Sequence, residues 1–354
     1  MPAMVGGFGN NNVYSLSLGL NLFGPKKKKC LNEKLSKIND SIEKTSSKRI
    51  DQKENTSVIC KTNKTDLGSY LAGYIEGDGS IIVPSPQKER NSIGNLYYPC
   101  IRVIFLLVDK PLAEKLQNIF GGKFVFPLNQ KYFLWQVEDL AGLVKIVESV
   151  NGLFRTSKIE ALHRLITWLN NKTCDEASKN IAYLGIDQTD IKNNSWLSGF
   201  TDADGNFALS IVNLSLNSIR VQQQFRLEIR QSYHRTVEAR LGGESYFSIL
   251  SKISEYFETS LLSRTRTQQD KIYYSFMAIA HNSKSHDLAI AYFDRYPLFS
   301  SKRLNYLDWK KVRELVKRKE HLTEKGLNEI KTIKGNYNSK RVTFNMDYLS
   351  SFYN

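Results

Sequence analysis

The chain is poor in the residues that build disulfide or metal-cluster frameworks. Its four cysteines, at 30, 60, 100 and 174, include no C-x-x-C pair and no regular spacing across 354 residues. This excludes a cysteine zinc site and a disulfide scaffold, and leaves plain thiols in a reducing compartment as the expectation. Histidine is scarce as well: of five, only His281 and His286 in "HNSKSH" lie close together, in a polar run that reads as a loop. No apolar run reaches the ~20 residues of a bilayer span, so no membrane segment is expected. "YSLSLGLNLF" is short, interrupted and not preceded by positive charge, which argues against a secretory leader. No aromatic residue occurs between Phe23 and Tyr70.

That gap coincides with a change of composition. Residues 1–66 carry twelve Lys/Arg against six acids, including "GPKKKKC". So little apolar surface cannot repay the entropy of ordering, and a disordered basic extension is expected. In the whole chain 50 Lys and Arg face 35 Asp and Glu, a net charge of +15, and 41% hydrophobic content is enough for a sizeable core. Such an excess of positive charge points to a polyanionic partner.

Beyond residue 66 the chain repeats itself. "LAGYIEGDGS" begins at Leu71 and "LSGFTDADGN" at Leu197, and their second acids, Asp78 and Asp204, are 204 − 78 = 126 positions apart. Each motif is followed by short strand-like runs, "SIIVPSP" and "NFALSIVNL". A longer strand then runs into a helix-like segment, "IRVIFLLVDKPLAEKLQNIFGG" in one half and "RVQQQFRLEIRQSYHRTVEARLGG" in the other. Aromatic strands come next, "KFVFPL" with "KYFLWQV", and later "KIYYSFMAIA". Helices entered through similar turns close each half, with Lys158 and Lys302 at matching places, 302 − 158 = 144 apart. The expected architecture is α+β: a pseudo-twofold tandem repeat of helix-strand-strand-helix-strand-strand-helix with antiparallel sheets. The expected boundaries are 67–175 and 195–340 for the repeats, 176–194 for a linker and 341–354 for a C-terminal tail.

The run from Arg220 to Arg230 alternates. Arg220, Gln222, Gln224, Arg226, Glu228 and Arg230 share one face, and Val221, Gln223, Phe225, Leu227 and Ile229 share the other. Arg and Gln carry the forked donors and acceptors that match guanine and adenine edges, and a β-ribbon fits a major groove.

With its two motifs at this separation, each followed by strands, the chain resembles single-chain LAGLIDADG homing endonucleases from about residue 66 to 340. The first ten residues, "MPAMVGGFGN", resemble a piece of cytochrome c oxidase subunit I, as expected of exon sequence read in frame into a group I intron. The small residues Gly73 and Gly77, and Gly199 and Ala203, lie at i and i+4, so each helix offers a nearly bare strip to the other. Asp78 and Asp204 would then meet at the helix ends, where the macrodipole and mutual repulsion disfavour them and a divalent cation would relieve both. On a helical wheel Glu76 lies nearer the bare strip than Asp78, so periodicity does not select the working acid. The family pattern selects Asp78 and Asp204 and leaves Glu76 and Asp202 as surface or helix-end residues.

The resemblance further implies Mg²⁺ held by Asp78, Asp204 and the backbone of Gly77 and Ala203. It implies a catalytic surround of Lys158, Lys302 and Gln231, with Leu107 standing where a second glutamine would align. DNA contacts are expected from Ser80, Ile82, Arg102, Asn206 and Ser210 besides the Arg220 to Arg230 row. The implied activity is metal-dependent double-strand cleavage of a long asymmetric DNA target by a mitochondrial, organelle-encoded monomer. The alternative is an RNA maturase that binds its host intron.

Overall fold

The computed structural model describes residues 54–85, 97–172, 180–215 and 218–353, with side chains from Asp66 onward except at 213–218. By contact the chain falls into two units, 1–59 and 60–354, and the account below concerns the second. Most of the basic extension, with the exon-like start, lies outside the described residues. Helix α1 begins at Glu54, ahead of the boundary expected at residue 66.

The first half runs α1 (Glu54–Asp78), β1 (Gly79–Ile82), β2 (Cys100–Leu106), α2 (Lys110–Phe120), β3 (Lys123–Val125), β4 (Tyr132–Val137), α3 (Leu140–Val150) and α4 (Ile159–Lys172). The second runs α5 (Trp196–Asp204), β5 (Gly205–Ser215), β6 (Ser218–Arg230), α6 (Phe247–Tyr256), β7 (Leu262–Gln268), β8 (Lys271–Ala280), α7 (Ser283–Arg295), α8 (Lys302–Lys317) and α9 (Glu324–Gly335). Each half forms a four-stranded antiparallel sheet, ordered β1-β2-β4-β3 and β5-β6-β8-β7. The repeat is therefore present as expected, with three differences.

Among the described residues the first half has one more helix than expected, α3, and the second has two, α7 and the C-terminal α9; α3 and α7 occupy matching places. Both are started by a side-chain cap: Asp139 accepts from Gly142 N, and Asn282 accepts from Ser285 N, whose hydroxyl in turn accepts from Asn282 N. "HNSKSH" is thus the start of α7 rather than a loop, and His286 is buried on it. Second, the residues after β6 do not form a helix. Gly242 and Gly243, at φ 91° and 66°, close a short 3₁₀ turn, and α6 starts only at Phe247. Third, β7 carries "LSRTRTQ", a strand the hydrophobic pattern did not show because nearly all of it is exposed.

One face of each sheet packs on helices through Phe105, Phe133 and Trp135 in the first half and Phe207, Phe225 and Leu227 in the second, all essentially buried. The opposite faces are open, and they continue outward from the ends of α1 and α5. The C-terminal stretch is not a loose tail. Phe352 and Tyr353 pack at ring distances of 6.3 and 6.0 Å on Tyr70, and Tyr348 donates to Ser300 O at 2.8 Å.

Candidate active site at the paired helix ends

Helices α1 and α5 meet along their small residues with almost no space between backbones. A Cβ on Gly73 would lie 2.0 Å from Trp196 O, one on Gly199 would lie 1.8 Å from Tyr70 O, and one on Gly77 would lie 2.2 Å from Ala203 Cβ. The four residues expected at the helix interface are therefore brought together. The same packing carries Asp78 and Asp204 to one place: Asp204 Oδ2 lies 3.3 Å from where a Gly77 side chain would begin.

By solvent exposure Asp78 is half-buried and Asp204 open to solvent, while protein atoms crowd around both carboxylates. Burial pushes the Asp78 carboxyl up to about 6, and the Asp204 charge adds to this against the pull of Lys302 and Lys158. Burial raises Asp204 as well, opposed by Lys302, Lys158 and Arg230. Two carboxylates at adjoining helix C-termini resist ionising together.

Both lysines lie at these helix ends. Lys158 Nζ donates to the carbonyls of Ile75 (3.0 Å), Glu76 (2.7 Å), Gly77 (3.3 Å) and Gly79 (2.8 Å). Lys302 Nζ donates to Thr201 O (3.0 Å) and Ala203 O (2.5 Å). Most of these are carbonyls of the last helical turns, so each ammonium caps a helix end and brings positive charge beside the acids; Thr201 O also accepts from Gly205 N, and Gly79 O belongs to the start of β1. Burial lowers the Lys158 ammonium to about 8, with Asp204, Glu76 and Asp78 opposing the shift.

The first acid of each motif is not a surface residue, as was expected of it. Glu76 is buried and accepts from Arg155 N, Thr156 N, Thr156 Oγ1 (2.5 Å) and, across the interface, Trp196 Nε1 (2.6 Å). Asp202 is buried in the related arrangement. It accepts from Phe299 N, Ser300 N, Ser300 Oγ and, across the interface, Tyr70 OH at 2.7 Å. Each acid ties down the turn that leads, two residues on, to the lysine of its own half. The helical wheel had placed Glu76 close to the interface; what it lacked was a partner for the carboxylate, supplied by a turn about 80 residues away. Glu76→Gln should cost about 1 to 3 kcal/mol, because one acceptor oxygen is lost among several buried donors. Thermal melting with and without the substitution measures this.

Gln231 follows β6. Its side chain donates to Ser263 Oγ at 2.8 Å, and its backbone N–H pairs with Tyr274 O at 3.0 Å. Leu107 N pairs with Lys131 O at 3.2 Å in the matching place. The alternation of β6 is as expected: Gln223, Phe225 and Leu227 are buried, and the even-numbered set is open to solvent in varying degree. Register places Asn206 opposite Arg226 and Ser210 opposite Gln222 on the same face. Ser80 pairs with Arg102, and Ile82 lies two residues on, so it shares their face.

Glu228 is held within the protein by several partners at once. It receives Ser275 Oγ at 2.9 Å and pairs with Arg266, with Arg264 at 3.4 Å and with Arg226 at 3.8 Å. Burial would raise its carboxyl, but Ser275 and Arg266 outweigh that and hold it low. Arg264 and Arg266, from the strand the sequence pattern missed, therefore join the exposed row. Their R-T-R-T alternation was the available signal.

Among the described residues no group of three or more His, Cys, Asp or Glu side chains could hold a metal ion. What the helix ends offer is two carboxylates with the carbonyls of Gly77 and Ala203, each of which already accepts one lysine bond and keeps a second lone pair. A hard, oxygen-only donor set of this kind, with both acids' protonation favoured by crowding, suits a divalent cation that keeps waters and takes further ligands from a substrate.

A pseudo-twofold α+β chain with one acid from each half at the meeting of two helices defines a class with a shared, two-sided reaction centre. The family model described as LAGLIDADG endonuclease matches residues 71–169 and 197–313, and the chain belongs to that family. It is 33% identical over 372 aligned residues to intron-encoded DNA endonuclease aI3 of Saccharomyces cerevisiae, covering all of this chain and 82% of that protein. It is 27% identical to intron-encoded RNA maturase bI4 of the same organism, over 64% of this chain and 29% of that one. Among solved structures it resembles the I-SmaMI homing endonuclease bound to cleaved DNA, with TM-score 0.55 and 19% identity, covering 78% of this chain and 98% of that one. It also resembles I-LtrWI bound to target DNA, with TM-score 0.56 and 19% identity, covering 79% and 100%. These structural likenesses establish the shared fold.

Proposed function

We propose that the chain is a site-specific DNA endonuclease that cuts both strands of a long asymmetric duplex, with Asp78 and Asp204 holding divalent cations, Mg²⁺ in the cell. The observation that carries this is the convergence of these two carboxylates at solvent-reachable helix ends between two open sheet faces. When bound, the metal activates water and stabilises the departing 3′ oxygen. The chain's own residues do the rest. Asp78 and Asp204 would each supply one carboxylate ligand to the metal, one for the cleavage of each strand. Lys158 and Lys302 fix the helix ends and set positive charge beside the developing phosphorane. Gln231 serves one half only, since Leu107 cannot orient water.

The open faces bind the duplex, with Ser80, Ile82 and Arg102 in one half and Asn206, Ser210, Arg220, Gln222, Gln224, Arg226 and Arg230 in the other. Glu228 organises Arg226, Arg264 and Arg266 for that purpose. One chain supplies both halves of the site, so a monomer suffices. The intron-encoded relatives and the oxidase-like start support expression from a mitochondrial intron. The likeness to an RNA maturase supports intron RNA as an additional partner.

The test is cleavage of duplexes spanning the intronless host junction by the purified full chain in Mg²⁺, alongside binding to the intron RNA. A double-strand break is expected; RNA binding without any break would replace the nuclease with the maturase. Within the same assay, Arg226→Ala should relax base preference over a few adjacent positions of one half-site, by about 1 to 3 kcal/mol, and leave the other half-site unchanged. A contact to phosphate alone would weaken all targets equally and lower the salt slope by about one unit, removing Arg226 from the base-reading set.

A further inference from the structure

The two halves pair their first two strands in the same register after each motif, but with different chemistry. Gly79 pairs with Val103 and Gly205 with Leu227, which makes Arg102 and Arg226, Ile104 and Glu228, Leu106 and Arg230, and Leu107 and Gln231 positional equivalents. In the second half this end of the open face is a charged cluster, Glu228 gathered with Arg226, Arg264 and Arg266. In the first half it is apolar. Ile104 is 38% exposed, Leu106 54% and Leu107 46%, with Ile82 at 42% on the same sheet. Register sets Leu134 beside Ile104 and Val125 beside Leu134, both half-buried, so these side chains form one surface. Isolated exposed apolar residues are ordinary, but a contiguous set on one sheet face is not.

We propose that the first half reads its half-site through thymine 5-methyl groups, with Ile104, Leu106 and Ile82 as the specificity-determining residues. This rests on the DNA-cleaving function proposed above. The occupant follows from position: Ile104 and Leu106 continue the Ser80 and Arg102 row back toward the Asp78 end of the sheet, where the other half presents Glu228 and Arg230, and Ile82 lies at the outer end of that row, so a duplex lying on both sheets must cover them. In a major groove the one apolar feature on a base edge is the thymine methyl, and aliphatic side chains are its partners. Arg102 anchors the backbone or a purine in the middle of the row, and Ile104 and Leu106 on its inner side, with Ile82 on its outer side, select the thymines.

Deoxyuridine differs from thymidine by that methyl alone, and this supplies the experiment. The full chain selects targets from a randomised duplex pool, and binding to resynthesised targets is measured by fluorescence anisotropy. The positions whose preference relaxes in Ile104→Ser or Leu106→Ser mark the first half-site. Replacing thymine by uracil there should weaken binding about three- to fourfold per contacted methyl, the value of burying one methylene-sized group. The same replacement in the other half-site should change binding less than twofold. The Ile104→Ser/Leu106→Ser double variant, whose substituted side chains are exposed, should bind thymine and uracil targets equally. Equal affinity of the wild-type chain for both, or a marked half-site without thymine, overturns the proposal while leaving selective cleavage intact. Absence of any sequence-selective duplex binding overturns it together with the nuclease function on which it rests.

Discussion

Asp204→Asn should lower double-strand cleavage in Mg²⁺ by roughly three orders of magnitude, as expected when several kcal/mol of metal-dependent stabilisation are lost. Duplex affinity should remain within about tenfold, because the open sheets rather than the acids face the bases. The amide is nearly isosteric and keeps one oxygen, so the loss reports charge and metal affinity rather than a disrupted fold. Asp78→Asn should behave alike, and either variant can leave a nicked product if the strands react independently. Supercoiled plasmid resolved into nicked, linear and closed forms distinguishes these outcomes. Full linearisation by the Asp204→Asn protein would remove this residue from the reaction.

The same substitution should stabilise the metal-free protein at neutral pH. Asp78 has its carboxyl pushed up to about 6 by burial and by Asp204, whereas in an unfolded chain an aspartate titrates near 3.9. Between these values the native state binds more protons than the unfolded one, so stability falls as pH rises through that window. In a chelator the wild-type melting temperature should therefore rise as pH is lowered from 7 toward 5. Asp78→Asn and Asp204→Asn should flatten that slope and melt higher at pH 7.

Much of this arrangement was legible in the sequence, because a duplicated motif constrains twice. The spacing of Leu71 and Leu197 gave the two helices, the alternation from Arg220 to Arg230 gave the open face of β6, and the matched turns gave Lys158 and Lys302. What was hidden depended on partners far apart in sequence. Glu76 and Asp202 read as helix-end acids until their receptors at 155–156 and 299–300 were in place. β7 was hidden because an exposed edge strand needs no apolar alternation, and α3 and α7 because short capped helices resemble the turns around them. Glu228 looked like a member of the reading row, and only the neighbouring strand showed it to be the counterion of Arg264 and Arg266.

Gly199→Ala should destabilise the protein by at least about 2 to 4 kcal/mol even though alanine is worth ~1 kcal/mol more than glycine inside a helix. The added carbon would lie 1.8 Å from Tyr70 O and 2.8 Å from the same carbonyl carbon. Backbone cannot rotate aside as a side-chain tip can, so α1 and α5 would have to separate, and the acids at their ends would separate with them. Gly77 is a different case, since the obstacle to its Cβ is the Ala203 methyl at 2.2 Å. The gap there holds one methyl, and the "EGDG" and "TDADG" versions of the motif place it on α5. Gly77→Ala should thus be destabilising alone and rescued by Ala203→Gly, which moves the methyl to the other helix. Gly199→Ala should have no comparable rescue by any side-chain change. Gly185→Ala, with nothing within 4 Å of its Cβ, should stay within about 0.5 kcal/mol of wild type. Denaturant unfolding of the wild type and the five variants, Ala203→Gly alone among them, measures each value, and additivity of Gly77→Ala with Ala203→Gly would show that the two helices do not touch where the structure puts them in contact.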